Sequence, residues 1–386
     1  EKAFDYPDNA ERFAFFSRAV LETLKEIDYK PDLIHLNDWQ TGLVPLYLKT
    51  IYKDDAFFKG IATLFTIHNI GYQGVFPLED FQHTCLSNDI LTPDGLEYYG
   101  KMSYLKGGLI SAEMLTTVSP TYCREIQGAE YGMGLEGVIQ TRAEDIEGIL
   151  NGADYSAWDP AHDNLIAKKY SAKSLGGKWV CKKDLLSLFG FKAEKKVPVI
   201  GMVTRLSEQK GIDIFLQALD EFLDKDFKLI LLGMGDEKYK GLFQSLENLH
   251  PKKIGVKIDF DVELAHKIEA GADVFVMPSK YEPCGLSQIY SLKYGTIPVV
   301  RAIGGLNDTV DEVDETGSVG TGFKFSEYSG DALKNAICRA LALYENKAVW
   351  KKMMIRAMEK DFSWEKSAQK YLNVYKKAVH KLYGFV

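Results

Sequence analysis

The chain lacks most of the features that mark specialised protein classes. Its 386 residues include five cysteines (Cys85, Cys123, Cys181, Cys284 and Cys338), an odd number with no C-x-x-C pair. That pattern indicates neither a disulfide framework nor a zinc site, and it suits a reducing compartment. No apolar run approaches the ~20 residues of a membrane span, and no secretory leader is visible. Basic residues are not in excess: 47 Lys and Arg stand against 54 Asp and Glu, a net charge of -7. Nucleic acid as a partner would require a basic footprint. The same balance repels phosphates at long range, so local cations must hold any phosphorylated ligand. The first residue is Glu1 rather than Met, so the chain reads as a fragment. What remains is an ordinary globular composition, 46% apolar and 26% charged. At this length two domains are expected, because single cores stop growing at roughly 250–300 residues.

The most informative stretch runs from Ala272 to Val310. Val274–Met277 is a short β-branched run stopped by Pro278, which predicts a buried strand. Leu286, Ile289 and Tyr290 recur at helical spacing, with Gly295 closing the helix. Thr296–Val300 predicts a second buried strand, and Gly304-Gly305 opens a turn into a helix near Asp308. Strand, helix and strand make a βαβ unit with parallel strands. Between the first strand and its helix lies Tyr281-Glu282-Pro283-Cys284-Gly285. This is the carboxyl end of the strand, where open α/β sheets bind their ligands.

Earlier in the chain, Asp8 and Glu11 predict a capping box before a helix whose core stripe is Phe13, Phe16, Val20, Leu24 and Ile27. Leu33–Leu36 and Ile61–Ile67 predict buried strands. Asp38 follows the first, either as the N-cap of the next helix or as a substrate contact. His68 follows the second, and the glycines after it allow close backbone approach. Gly132–Gly137 satisfies G-x-G-x-x-G without the preceding strand that a dinucleotide site requires, so a nicotinamide site is rejected. Trp158 to about Lys192 reads as a polar passage between domains. Val197–Val203 starts a second parallel sheet, and Arg205 and Lys210 follow it on one loop, a pattern that suits a phosphate clamp. Val256–Phe260 predicts a further strand, and the final helix from about Ser363 carries Trp364, Ala368, Tyr371, Tyr375 and Val379 at helical spacing.

The string E-P-C-G-L-S-Q-x-Y-S-L-K-Y-G-T-x-P-V-V-R-x-x-G-G-L-x-D-T-V resembles the donor-sugar motif of the bacterial glycogen synthase and plant starch synthase family. Four further strings resemble loops of the same family: H-L-N-D-W-Q-T-G, T-I-H-N-x-x-Y-Q-G, Y-G-M-G-L-E-G and R-L-S-E-Q-K-G. The resemblance covers nearly the whole chain, lacking the family's N-terminal segment with its Lys-x-Gly-Gly loop. It implies an α/β fold of two Rossmann-like domains facing across a cleft (GT-B type), the first truncated at its start. The expected domains are 1–157, joined by the C-terminal helix 363–386, and the nucleotide-sugar-binding domain 158–362.

The resemblance also implies a retaining, metal-independent glucosyltransferase that needs no cofactor and moves glucose from ADP-glucose to an α-1,4-glucan. Glu282, His68, Arg205 and Lys210 are the implied catalytic residues. Arg205, Lys210 and the N–H groups near Gly285 and Gly305 would stabilise the leaving diphosphate. Asp38, Asn151, Cys284, Gly285, Leu286, Gly305 and Phe260 are the implied substrate-binding residues, with Phe260 either under the base or in the core. Cys284 is expected to pack beside the site rather than attack. A UDP-glucose-dependent transferase of the same fold, and an inactive glucan-binding fragment, are the alternatives. A cytoplasmic location is expected, or the plastid for a plant protein, with no nucleic-acid or membrane partner.

Overall fold

In the computed structural model, which describes residues 6–384, the chain forms two compact units. One comprises Glu1–Leu150 together with Ser367–Val386, the other Asn151–Lys366.

The first unit begins with α1 (Asn9–Glu26). Its buried face is the small residues Ala10, Ala14 and Ser17 together with Leu21, not the expected stripe, and Phe16 and Ile27 are 45% and 63% exposed. Small side chains let the helix backbone approach its neighbours, which leaves the bulkier ones on its flanks. The capping box does not form either. The Asp8 side chain makes no cap hydrogen bond and lies 3.9 Å from Arg12 instead.

The elements that follow are β1 (Leu33–Asn37), α2 (Leu43–Lys49), β2 (Ala62–Ile67), β3 (Val75–Phe76), β4 (Glu97–Tyr98), β5 (Lys101–Ser103) and α3 (Tyr104–Ser111). The unit continues with β6 (Met114–Thr117), α4 (Pro120–Glu125), α5 (Glu136–Gln140) and β7 (Ile146–Gly148). A parallel sheet runs in the order β1-β2-β6-β7, and β3-β5-β4 form a small antiparallel sheet. Every residue of β2 is buried, as expected for a parallel strand covered on both faces. The chain returns here at its end: Tyr371, Val374 and Ala378 pack with Ala62, Leu64, Met114 and Ile149.

The second unit contains α6 (Gly176–Leu188), β8 (Val199–Leu206), α7 (Ile212–Phe222), β9 (Lys228–Gly235), α8 (Glu237–Leu249), β10 (Ile254–Lys257) and α9 (Val262–Gly271). It continues with β11 (Val274–Met277), α10 (Ser287–Lys293), β12 (Ile297–Arg301), α11 (Gly304–Thr309), β13 (Phe323–Phe325), α12 (Gly330–Glu345) and α13 (Lys347–Met358). The final helix, α14 (Trp364–Leu382), leads out of it. Its six strands are parallel in the order β10-β9-β8-β11-β12-β13. The order reverses between β8 and β11, the topological switch point beside which such sheets bind ligands.

Three sequence expectations are corrected in this unit. The stretch after Trp158 is not merely a polar passage, because α6 is a core helix with Lys178, Cys181, Lys182, Leu185 and Leu186 buried. Its lysines are tolerated inside because each is fully used as a donor. Lys178 Nζ reaches the carbonyls of Ala270 and Tyr294 and the Thr296 hydroxyl at 2.7–3.2 Å. Lys182 Nζ reaches Val197 O, Asp273 Oδ2 and the Tyr344 hydroxyl at 2.6–2.9 Å. Next, α11 starts at Gly304 rather than near Asp308. Finally, β10 stops at Lys257, which leaves Phe260 outside the strand and 81% exposed, so it is not a core residue.

Candidate functional site

At the switch point the carboxyl ends of β8 and β11 enclose a cavity of about 230 Å³, whose lining includes Arg205, Lys210, Ser279, Glu282, Gly285 and Leu286. Contrary to the sequence expectation of one shared loop, Arg205 is still within β8, which ends at Leu206, and only Lys210 lies on the turn ahead of α7. Strand β11 ends at Met277, and the residues after Pro278 include Ser279 and Glu282. Lys210 Nζ donates to Glu282 Oε2 at 2.6 Å, and the Ser279 hydroxyl donates to the same oxygen at 3.0 Å. Glu282 is only 5% exposed, and a carboxylate this buried needs such partners. Among the described residues lining the cavity, Glu282 is the one carboxylate. Arg205 lies on the exposed side, its guanidinium 3.3 Å from Gln209 Oε1.

Backbone contacts join the two loops. Lys280 N–H donates to Gln209 O at 2.8 Å, and the α-carbon of Gly211 is so close to the second loop that a Cβ there would lie 2.0 Å from Pro278 O. Gly211 also has φ +69°, so only glycine meets both demands. This packing brings Lys210 to Glu282 although 72 residues separate them.

The Gly304-Gly305 turn has a different role from the one expected. The Gly305 N–H donates to the carbonyls of Glu282 and Pro283 at 3.1 and 3.2 Å, so this amide supports the loop and does not face the cavity. A Cβ on Gly305 would stand 2.1 Å from Cys284 O, which explains the glycine without any ligand. Leu286 precedes α10 and is 38% exposed, so it belongs to the cavity rim and not to a buried helix face. Cys284 is buried, and desolvation pushes its thiol up to about 12. A thiol so far from ionising at neutral pH is no nucleophile. Asn151 Oδ1 is buried without a hydrogen-bond partner. Phe260, past the carboxyl end of β10, is exposed. Neither Asn151 nor Phe260 lines the cavity.

In the first unit, Asp38 and His68 stand at the carboxyl ends of the adjacent strands β1 and β2. Asp38 does not cap the helix after it. Its Oδ1 accepts the His68 N–H at 2.7 Å, and His68 Nε2 lies 2.9 Å from Asn37 Oδ1. Burial pushes the Asp38 carboxyl up, against the lowering effect of the His68 and Asn69 N–H groups. The Asp38 backbone has φ 57° and ψ -178°, a region almost confined to glycine and costing of order 1–3 kcal/mol. Strain of that size persists where the surroundings enforce it, and here the bond to His68 does so. Below the pair, a polar row crosses the sheet. The Tyr375 hydroxyl meets His35 Nδ1 at 2.9 Å, His35 Nε2 meets Thr66 Oγ1 at 2.6 Å, and Thr66 meets Thr116 Oγ1 at 2.6 Å.

The structure thus joins Arg205, Lys210, Glu282, Gly285 and Leu286 around one cavity, and Asp38 and His68 in one pair. Sequence reasoning missed Ser279. A serine three residues before Glu282 was the available signal, since that spacing returns its hydroxyl to the carboxylate. Among the described residues, no group of three His, Cys, Asp or Glu side chains is placed to hold a metal ion. No described helix is long and apolar enough to cross a membrane.

Comparison with known proteins gives the chain's family and fold. Residues 1–141 match the starch synthase catalytic domain family, and residues 188–355 match glycosyl transferases group 1. The chain is 47% identical over 382 residues to a glycogen synthase of Thermosipho melanesiensis, covering 99% of this chain and 79% of that protein. It is 49% identical over 374 residues to a glycogen synthase of Koribacter versatilis, covering 97% and 77%. Among solved structures, the catalytic domain of starch synthase IV from Arabidopsis thaliana, bound to ADP and acarbose, matches with a TM-score of 0.91 and 33% identity, covering 97% of this chain and 78% of that one. A sucrose-phosphate synthase of Thermosynechococcus elongatus, with TM-score 0.60 and 22% identity, shares the fold.

Proposed function

The chain belongs to the glycogen and starch synthase family of GT-B glycosyltransferases, and from that premise we propose that it transfers glucose from ADP-glucose to the non-reducing end of an α-1,4-glucan with retained configuration. The observation that carries this reading is the part-buried Lys210–Glu282 pair at the switch point, with Arg205 at the end of β8 lining the same cavity. The starch synthase IV structure holding ADP and acarbose supports both substrate classes.

In this reading the departing diphosphate lies on Arg205, Lys210 and the backbone at Gly285. At ~4 Å and an effective dielectric of about 20, each cation–phosphate contact is of order 4 kcal/mol before desolvation. That outweighs the diffuse repulsion from the chain's net charge. Developing negative charge on the leaving group draws on these contacts more than the ground state does, which is the condition for catalysis. Glu282, held by Lys210 and Ser279, binds donor-glucose hydroxyls and stabilises positive charge developing at the anomeric carbon. Its two existing hydrogen bonds and the lack of a second carboxylate in the cavity favour this electrostatic role over a double displacement. His68, set by Asp38, orients the transferred sugar, and Asn151 and Phe260 contribute to donor binding. A cytoplasmic location fits the five unpaired cysteines.

The test is incorporation of labelled glucose from ADP-glucose into glycogen, with UDP-glucose as competitor. Loss of incorporation in both Glu282→Ala and Lys210→Ala is expected. Retention of most activity by both variants removes the assignment.

A further inference from the structure

Gln288 has no part in the mechanism above, yet it is tightly held behind the loop that lines the cavity. It is fully buried. Its amide nitrogen lies 3.0 Å from Cys284 O, 3.0 Å from Gly285 O and 3.1 Å from Thr309 Oγ1. The Thr309 hydroxyl donates its own proton to Gly305 O at 2.6 Å, so it offers Gln288 a lone pair. Three acceptors around one atom require that atom to be the NH₂ group. The other end of the amide is unsatisfied: Gln288 Oε1 is buried without a partner. It stands 2.5 Å from the place a Cβ on Gly285 would occupy, and Gly285 has φ +70°.

A buried carbonyl left unpaired opposes folding. An apolar residue of the same shape would avoid that penalty, so the loop's geometry is what the glutamine secures. We propose that Gln288 is the positioning residue for the 282–286 loop, fixing its backbone so that Glu282 and Gly285 stand at the cavity; this rests on reading that cavity as the ADP-glucose site. The loop has no helical or strand hydrogen bonds of its own. Its carbonyls are held from two sides: Gly305 N–H takes those of Glu282 and Pro283, and Gln288 takes those of Cys284 and Gly285. Through Thr309, Gln288 also ties the loop to α11. The Glu282 side chain meets Lys210 and Ser279 only while its backbone keeps this course.

The test uses the whole chain, with ADP affinity by calorimetry and glucose incorporation measured side by side. Gln288→Met keeps the volume and removes both donors. It is expected to weaken ADP binding at least fivefold and lower kcat at least tenfold, with the melting temperature within a few degrees of the parent. ADP affinity within twofold of the parent overturns the proposal. Gln288→Glu separates positioning from bulk. As a carboxylate it turns three acceptors against an acceptor, and when protonated it regains one donor. A buried Glu titrates above its usual range, so the affinity deficit should shrink as pH is lowered from 9.5 to 6. A deficit that stays flat over that range overturns the proposal, and this series decides the matter if Gln288→Met does not fold. A parent chain that binds ADP without transferring glucose refutes the proposed function and leaves Gln288 to be judged on affinity. A parent that does not bind ADP refutes both.

Discussion

Lys210→Met is the most direct perturbation of the site. Lys210 Nζ lies 2.6 Å from Glu282 Oε2, and the two side chains are 17% and 7% exposed. Two separate losses follow from removing this one nitrogen. The first is catalytic. A cation–phosphate contact of order 4 kcal/mol, at about 1.36 kcal/mol per decade of rate, corresponds to roughly a 1,000-fold loss before desolvation. With Arg205 still present and desolvation allowed for, kcat/KM should fall roughly 100- to 1,000-fold. The second is structural. Glu282 would remain buried with Ser279 as its bonded partner, and breaking a buried pair costs about 3–5 kcal/mol. For a domain of this size that corresponds to a drop of roughly 6–20 °C in Tm at about 2–4 °C per kcal/mol.

The double variant Lys210→Met/Glu282→Gln separates the two effects. Removing the stranded charge should recover most of the Tm but none of the turnover. The assays are glucose incorporation under kcat/KM conditions and a melt followed by circular dichroism. Lys210→Met retaining more than a tenth of the parent kcat/KM, or the double variant regaining activity along with stability, would refute the reasoning.

Three further outcomes are expected. Gly305→Ala places a methyl 2.1 Å from Cys284 O; the displaced loop should cost about 1–3 kcal/mol and most of the incorporation activity, read by denaturant midpoint and turnover. Asp38→Ala strands the His68 N–H and should cost about 1–3 kcal/mol. Asp38→Asn, which keeps the acceptor, should restore that stability in the same titration. His35 is held down at about 4 by burial and by the charge of His68, so between pH 6.5 and 4 the unfolded chain binds the extra proton. Stability from this residue is therefore present above pH 6.5 and lost as pH falls through that window. The loss from pH 7.5 to 5 is about 2 kcal/mol and should be missing from His35→Gln in urea titrations at the two pH values.

Much of the second unit's site was legible because short buried strands of a parallel sheet announce themselves as apolar runs, and ligand loops follow their carboxyl ends. Val274–Met277 has the bounds read from sequence. Arg205, Lys210 and Glu282 meet because such loops must share one edge of the sheet. Legibility ended where polar residues are buried. Lys178 and Lys182 made α6 look like a linker, since one sequence cannot show that carbonyls and an aspartate wait for them inside. On α1 the reading followed the largest apolar residues, whereas close backbone approach selected Ala10, Ala14 and Ser17. The Gly304-Gly305 pair was rightly marked as unusual, yet its reason is contact with the Glu282–Cys284 carbonyls, which no spacing rule reveals.

The return of the chain to the first unit also bears on the order of its assembly during synthesis. Asn151–Lys366 is one uninterrupted stretch, so the second unit has its full core once that stretch has left the ribosome. Residues up to Leu150 are translated earlier, yet the cluster of Ala62, Leu64, Met114 and Ile149 lacks its partners until Tyr371, Val374 and Ala378 arrive, and His35 waits as long for the Tyr375 hydroxyl. The usual vectorial rule, in which the domain made first is finished first, is inverted here: the unit interrupted at Leu150 is completed only after Asn151–Lys366 has been made.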